Sequence, residues 1–158
     1  MTGGEPFRVL FLCTGNSARS QMAEAILRHL THGTADVQSA GSNPRPEINP
    51  LARDSVRRIL GLEMERQHPK PVSGLVGQPF DVVITVCDRA AESCPTFPGA
   101  PEMIRWSLPD PAAATGDDET RRRAFDESAK DLMRRIRLWL ALPRVARRVS
   151  SGAAADRA

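Results

Sequence analysis

Apolar and polar positions along this chain follow two periods, and the switches between them mark its elements. Residues 7–12 form a nearly continuous apolar run, the pattern of a strand buried on both faces of a parallel sheet. From Ser20, apolar residues recur at Met22, Ala23, Ile26, Leu27 and Leu30, the spacing of one helical face, and the pattern stops near Gly33. Residues 36–39 form a short second strand, followed by an irregular connection over residues 41–46. Asn49 offers a cap with Pro50 at the first helical position, Val56, Ile59 and Leu60 supply an apolar face, and Gly61 ends that second helix. Residues 68–79 read as a loop with one helical turn, residues 80–86 repeat the buried-strand signature, and residues 103–106 make a fourth strand. Residues 117–142 place acidic side chains early, arginines late, and Phe125, Leu132, Ile136, Trp139 and Leu140 on one face, as a docked terminal helix requires, with Pro143 closing it.

Strands alternating with helices predict a single α/β domain built on a four-stranded parallel sheet, with helices on both faces through right-handed crossovers. A chain of 158 residues can bury a self-sufficient core. The domain is expected over residues 1–142, leaving residues 143–158 as a basic, flexible tail of small and charged residues. The start lacks a basic segment followed by an apolar stretch, and no run reaches the length of a membrane span, so the expectation is a cytoplasmic protein without a membrane partner. The net charge of +3 comes largely from Arg121, Arg122, Arg123, Arg134, Arg135 and Arg137, which solvated helix faces explain. With 4% aromatics and no Tyr to interleave with them, nucleic-acid recognition is rejected.

Ligands of such sheets bind at the carboxyl ends of the strands. At the first of these ends stands Cys13-Thr14-Gly15-Asn16-Ser17-Ala18-Arg19-Ser20, a turn of small and polar residues opening onto a helix. Its free amides converge on the concave side of the loop, and Arg19 adds a planar bidentate donor, which together suit a tetrahedral oxyanion. Cys13 at the entrance is expected to feel that positive field as a thiolate nucleophile. The competing reading is a buried core cysteine beside a surface arginine. Ser20 either donates its hydroxyl to that sulfur or caps the helix. Asn16 is expected to fix the loop through side-chain hydrogen bonds. Three cysteines cannot pair completely, and in a cytosolic chain they point to catalysis or redox work. Zinc is disfavoured, because Cys87 and Cys94 lie seven apart and His29, His32 and His68 form no ligand pair with them.

This constellation resembles the Cys-x5-Arg-Ser loop of the low-molecular-weight phosphatase family, and its continuation Gln21-Met22-Ala23-Glu24-Ala25 is most similar to the arsenate reductase branch. The resemblance extends through Ser39-Ala40-Gly41, Asn49-Pro50, residues 82–87, Cys94-Pro95, Trp106 and Asp110-Pro111, most of residues 7–142. It implies the phosphatase-like fold with flavodoxin-like strand order 2-1-3-4. It also implies a reaction, the reduction of arsenate to arsenite for arsenic detoxification. Residues 14–20 would then hold the oxyanion, with Thr14, Gly15, Asn16, Ser17, Ala18, Arg19 and Ser20 around it. Cys13 would attack arsenic, Cys87 would resolve Cys13, and Cys94 would pass the disulfide to an external dithiol protein, thioredoxin with its reductase, without bound cofactor or metal. Glutathione- and mycothiol-linked variants occupy the same broad family, so the reductant stays open. Asp110 becomes the acid that protonates the departing oxygen; from local sequence alone, Asp110-Pro111 reads equally as a turn. Asn16, Glu24 and Ser39 resemble parts of a monovalent-cation site, from which His68-Pro69-Lys70 departs in a way that would let a lysine ammonium replace the ion. Ala18 stands where many relatives carry a cysteine outside the three redox roles.

Two further readings compete. A low-molecular-weight protein tyrosine phosphatase would use the same loop and acid, but Pro111 is followed by Ala112, Ala113 and Ala114 where such enzymes place aromatics. A noncatalytic oxyanion-binding or redox-sensing module would oxidise stoichiometrically at most. The relay also sets a geometric demand. If residues 88–93 are helical, seven residues separate the two Cα atoms of Cys87 and Cys94 by roughly 10 Å, beyond the reach of a disulfide at about 7 Å, so the segment must unwind.

Overall fold

The computed structural model describes residues 5–157, and for residues 153–157 only the backbone; the expectations that include residues 1–4 and 158 lie outside the described residues there. Strand β1 (Arg8–Cys13) leads into helix α1 (Arg19–Leu30), followed by β2 (Asp36–Gly41) and α2 (Pro50–Leu60). A 3₁₀ turn at Val72–Gly74 precedes β3 (Val82–Thr85), the short helix α3 (Asp88–Glu92) and β4 (Glu102–Arg105). A second 3₁₀ turn at Pro111–Ala113 leads to α4 (Asp118–Leu140) and α5 (Pro143–Arg157).

The four strands are all parallel and lie in the order β2-β1-β3-β4. Successive residues of a strand point to opposite faces, so burial of every residue of β3 and of Val9 to Cys13 in β1 shows that both faces of the central sheet are covered. α4 packs against α1 and α2, and α3 sits against β1 and β3. The core joins the inner strands, including Phe11 and Ile84, to Met22 and Ile26 of α1 and to Phe125, Leu132 and Ile136 of α4.

The capping signals act as read. Asn49 Oδ1 accepts from the Leu51 amide at 2.9 Å, Gly61 turns left-handed at φ 67°, and Asp117 Oδ1 accepts from the Thr120 amide at 2.8 Å. Most of the arginines of α4 lie on its solvated side, where Arg121, Arg123, Arg134 and Arg135 pair with carboxylates three or four residues away.

The C-terminal segment differs from the flexible tail expected over residues 143–158. Pro143 ends α4 and opens α5, because its missing N–H costs nothing in the first turn of a new helix. Val145 is buried, and Arg148 donates to the carbonyls of Glu5 and Pro6, pairs with Asp81 at 3.1 Å and lies over the Phe7 ring. Gly152 backs onto the Phe7 amide so closely that a Cβ would stand 3.2 Å from it. Composition reported the polar residues of this segment but not the basic clasp that docks it.

Candidate active site

β1 delivers Cys13 to the edge of the sheet, and the chain then turns through residues 14–18 before α1 begins. The loop's shape is set by where its carbonyls go. Thr14, Gly15 and Ser17 oxygens accept from the amides of Asn43, Arg45 and Asn49 at 2.9–3.0 Å, while the Asn16 oxygen accepts from Gln21 Nε2. With those oxygens turned outward, the amides of Gly15, Ser17 and Ala18 are left for the concave side.

Asn16 is the keystone of this arrangement. It is fully buried in the left-handed region at φ 48°, which Asn tolerates better than most residues. Its Nδ2 donates to Ser20 Oγ at 2.8 Å and Ser39 Oγ at 3.0 Å, and its Oδ1 accepts from Gln21 Nε2 and the Lys70 amide. Gln67 Nε2 extends the network to Gln21. Gly41 at the end of β2 is required by close approach, since a Cβ there would collide with the Thr14 carbonyl oxygen.

Ser20 is no helix cap: the N-cap is Ala18, and the Ser20 hydroxyl lies 2.8 Å from Cys13 Sγ. The Asn16 amide donates to the same sulfur at 3.2 Å. Burial pushes the Cys13 thiol above its ordinary value, while hydrogen bonds from Ser20 and Asn16 and the Arg19 charge pull the other way. Burial, which sequence reasoning did not count, is therefore the larger influence on this sulfur, and the loop's donors work against it.

Cys13, the loop residues 14–19, Cys87 and Asp110 line one cavity of about 540 Å³. Arg19 donates through Nη1 to the Leu108 carbonyl at 2.9 Å, and its Nη2 stands 3.9 Å from Asp110 Oδ1. Asp110 caps the Pro111–Ala113 turn by accepting from the Ala112 amide, so the turn and cavity-lining readings describe one residue. Cys87 follows β3 as the N-cap of α3; its sulfur accepts from the Ala90 amide and lies 3.6 Å from Thr14 Oγ1. Cys94 lies beyond α3, half-buried, with its thiol pushed up by burial. It shares a second cavity of about 10 Å³ with Cys13, so the first cysteine touches both spaces.

Glu24 is buried, accepting from Ser39 Oγ at 2.6 Å and pairing with Arg28 Nη2 at 2.6 Å. Lys70 Nζ approaches the same carboxylate to 4.0 Å, held below its ordinary value by burial against the pull of Glu24. Among the described residues no group of three or more His, Cys, Asp or Glu could hold a metal ion.

Sequence reasoning missed Arg45 and Arg89, which also line the cavity. Arg45 is carried there between Pro44 and Pro46, its side chain against Gly15, and no spacing in sequence relates positions 15, 45 and 89.

A model of the low molecular weight phosphotyrosine protein phosphatase family matches residues 8–149. The chain belongs to that family. Within it, an arsenate reductase of Halalkalibacterium halodurans is 36% identical over 131 residues, 83% of this chain and 93% of the relative. The solved thioredoxin-dependent arsenate reductase of Corynebacterium glutamicum superposes with a TM-score of 0.59 at 28% identity, covering 86% of this chain and 64% of that one. The low molecular weight protein tyrosine phosphatase of T. tengcongensis, at 22% identity and a TM-score of 0.68 over 85% of this chain and 97% of that one, shares the fold. No helix among the described residues is long and apolar enough to cross a membrane.

Proposed function

We infer that this chain reduces arsenate to arsenite. The observation that carries the reading is one cavity bringing Cys13, Arg19, Cys87 and Asp110 together, with Cys94 across α3 from Cys87. Arsenate binds against the loop amides and the Arg19 fork. Cys13 sulfur bonds to arsenic and an arsenate oxygen departs as water; Asp110 delivers a proton to that oxygen and the Cys13 thiol proton makes it good through solvent. Cys87 sulfur then attacks Cys13 sulfur and breaks the sulfur–arsenic bond, leaving the Cys13-Cys87 disulfide and arsenite, in which arsenic has gained two electrons. Cys94 attacks Cys87, returns an electron pair and a proton to Cys13, and creates the Cys87-Cys94 disulfide. An external dithiol protein of the thioredoxin type reduces that bond, so the protein's own residues carry the electrons without a bound cofactor or metal. Lys70 and Arg28 take the electrostatic part of a monovalent cation beside Glu24, with Asn16 and Ser39 completing the shell.

The cavity lining contains no aromatic side chain to grip a phosphotyrosine ring, and Ala112 stands beside Asp110 instead. Phosphate ester hydrolysis is therefore a slow side activity of the same loop.

The test is an assay with arsenate, thioredoxin, thioredoxin reductase and NADPH, run on wild type and on Cys13→Ser, Cys87→Ser and Cys94→Ser, then repeated with glutathione- and mycothiol-linked reductants. Continuous NADPH consumption is expected for wild type, with single-turnover arsenite release lost in the first two variants and only recycling lost in the third. Stoichiometric oxidation without turnover in every reducing system would mark a redox sensor instead.

A further inference from the structure

Arg89 has no part in the steps above, yet it lines the same cavity as Cys13, Arg19 and Asp110. With Arg45 it brings the lining to three guanidinium groups against one carboxylate, an excess that matches the charge of a tetrahedral dianion. That carboxylate, Asp110, lies in ion-pair range of Arg19. The two additional arginines stand on very different supports. Arg45 is braced by its own amide bonding to the Gly15 carbonyl at 2.9 Å and by prolines on both sides. Arg89 is the second residue of the five-residue helix α3, which lies between Cys87 and Cys94.

Little holds α3 in place. Ala90 is its one buried residue, and outside its own turns it is tied by Asp88 Oδ1 accepting from Ser107 Oγ at 2.9 Å. Ser107 lies one residue before Leu108, whose carbonyl receives Arg19. Cys87 caps α3 at one end and Cys94 follows its C-cap Ser93 at the other; the six-residue step between the two caps spans about 9 Å, so bringing the cysteines to the Cα separation of about 7 Å that a disulfide tolerates requires α3 to unwind. Forming that bond moves the residue that carries Arg89.

We propose that Arg89 is a redox-gated positioning residue for the oxyanion: it lines the cavity while Cys87 and Cys94 are thiols and is withdrawn when they join. The inference rests on the relay proposed above and adds a consequence to it. The reduced protein holds its substrate with three guanidinium groups, and the oxidised protein, left with Arg19 and Arg45, releases anions until the disulfide is reduced.

Inorganic phosphate is the probe, titrated calorimetrically into the full chain carrying Cys13→Ser, so that Cys87-Cys94 is the disulfide that diamide forms. In the dithiothreitol-reduced form, Arg89→Ala is expected to weaken phosphate binding about fivefold, with Arg89→Lys recovering part of the loss. In the oxidised form, Arg89→Ala is expected to match its parent. Arg45→Ala is expected to weaken both forms alike. Unchanged binding by reduced Arg89→Ala, or an equal loss in both redox forms, would overturn the gating while leaving arsenate reduction untouched. A reduced parent that binds no phosphate would overturn the oxyanion reading of the cavity and this inference with it.

Discussion

The loop around Cys13 and the helix between Cys87 and Cys94 meet at one cavity and are built on opposite principles. In the loop, Asn16, Ser20, Gln21 and Ser39 are all fully buried and hydrogen-bonded to one another, so each side chain fixes the next. α3 has one buried residue, no long apolar side chain, and an exposed hydrogen bond as its main tether. The proposed reaction, which binds a small anion and then passes a disulfide outward, needs both kinds of part. The cradle has to keep its donors still, and the relay has to come apart.

The largest effect is expected at Cys13, where the cradle and the relay meet. Cys13→Ser is expected to lower arsenate turnover by at least about 10³-fold in the coupled assay, since it removes the sulfur that sits at the base of the loop, while Cys87 approaches only its Thr14 edge. Next comes Asp110→Asn, expected to slow turnover by about 10²-fold while phosphate titration shows binding largely intact; unchanged turnover would remove Asp110 from proton delivery. On the cradle side, Asn16→Ala strands the partners of its amide and places Ala at positive φ. Urea unfolding should register a loss of about 3 kcal/mol, whereas Ala91→Gly in α3 should cost under about 1 kcal/mol. Ser20→Ala removes a hydrogen bond that lowers the Cys13 thiol, so its acidity moves to higher pH. Iodoacetamide alkylation of Cys13 at fixed neutral pH should slow roughly 3- to 10-fold, and an unchanged rate would show that the Ser20 contact does not govern the sulfur. The smallest effect concerns the cation site. Replacing sodium by potassium should move Tm by less than about 1 °C, because Lys70 and Arg28 already face Glu24; marked stabilisation by potassium would contradict that replacement.

What could be read in the sequence follows the same division. Periodicity, caps and the two-sided burial of β1 and β3 were legible because they are local, and the loop was legible because eight consecutive residues, Cys13 to Ser20, form it. Desolvation of Cys13 was not, since it depends on what packs around the sulfur rather than on the loop's dipoles. Arg45 and Arg89 were missed because a cavity rim is assembled from segments 30 and 44 residues apart in the chain from the loop's Gly15 and from one another. Helix α5 was read as tail because its docking rests on Arg148 and Gly152, residues whose types alone suggest solvent and flexibility.

The most direct test of a fixed cradle joined to a yielding relay is amide hydrogen exchange on two peptides, residues 14–21 and residues 87–97. The reduced protein would be compared with protein treated with one equivalent of arsenate in the absence of reductant. Protection of the first peptide is expected to be the same in both states, and protection across residues 88–93 is expected to be lost in the second. Equal protection of residues 87–97 in the two states would contradict this expectation.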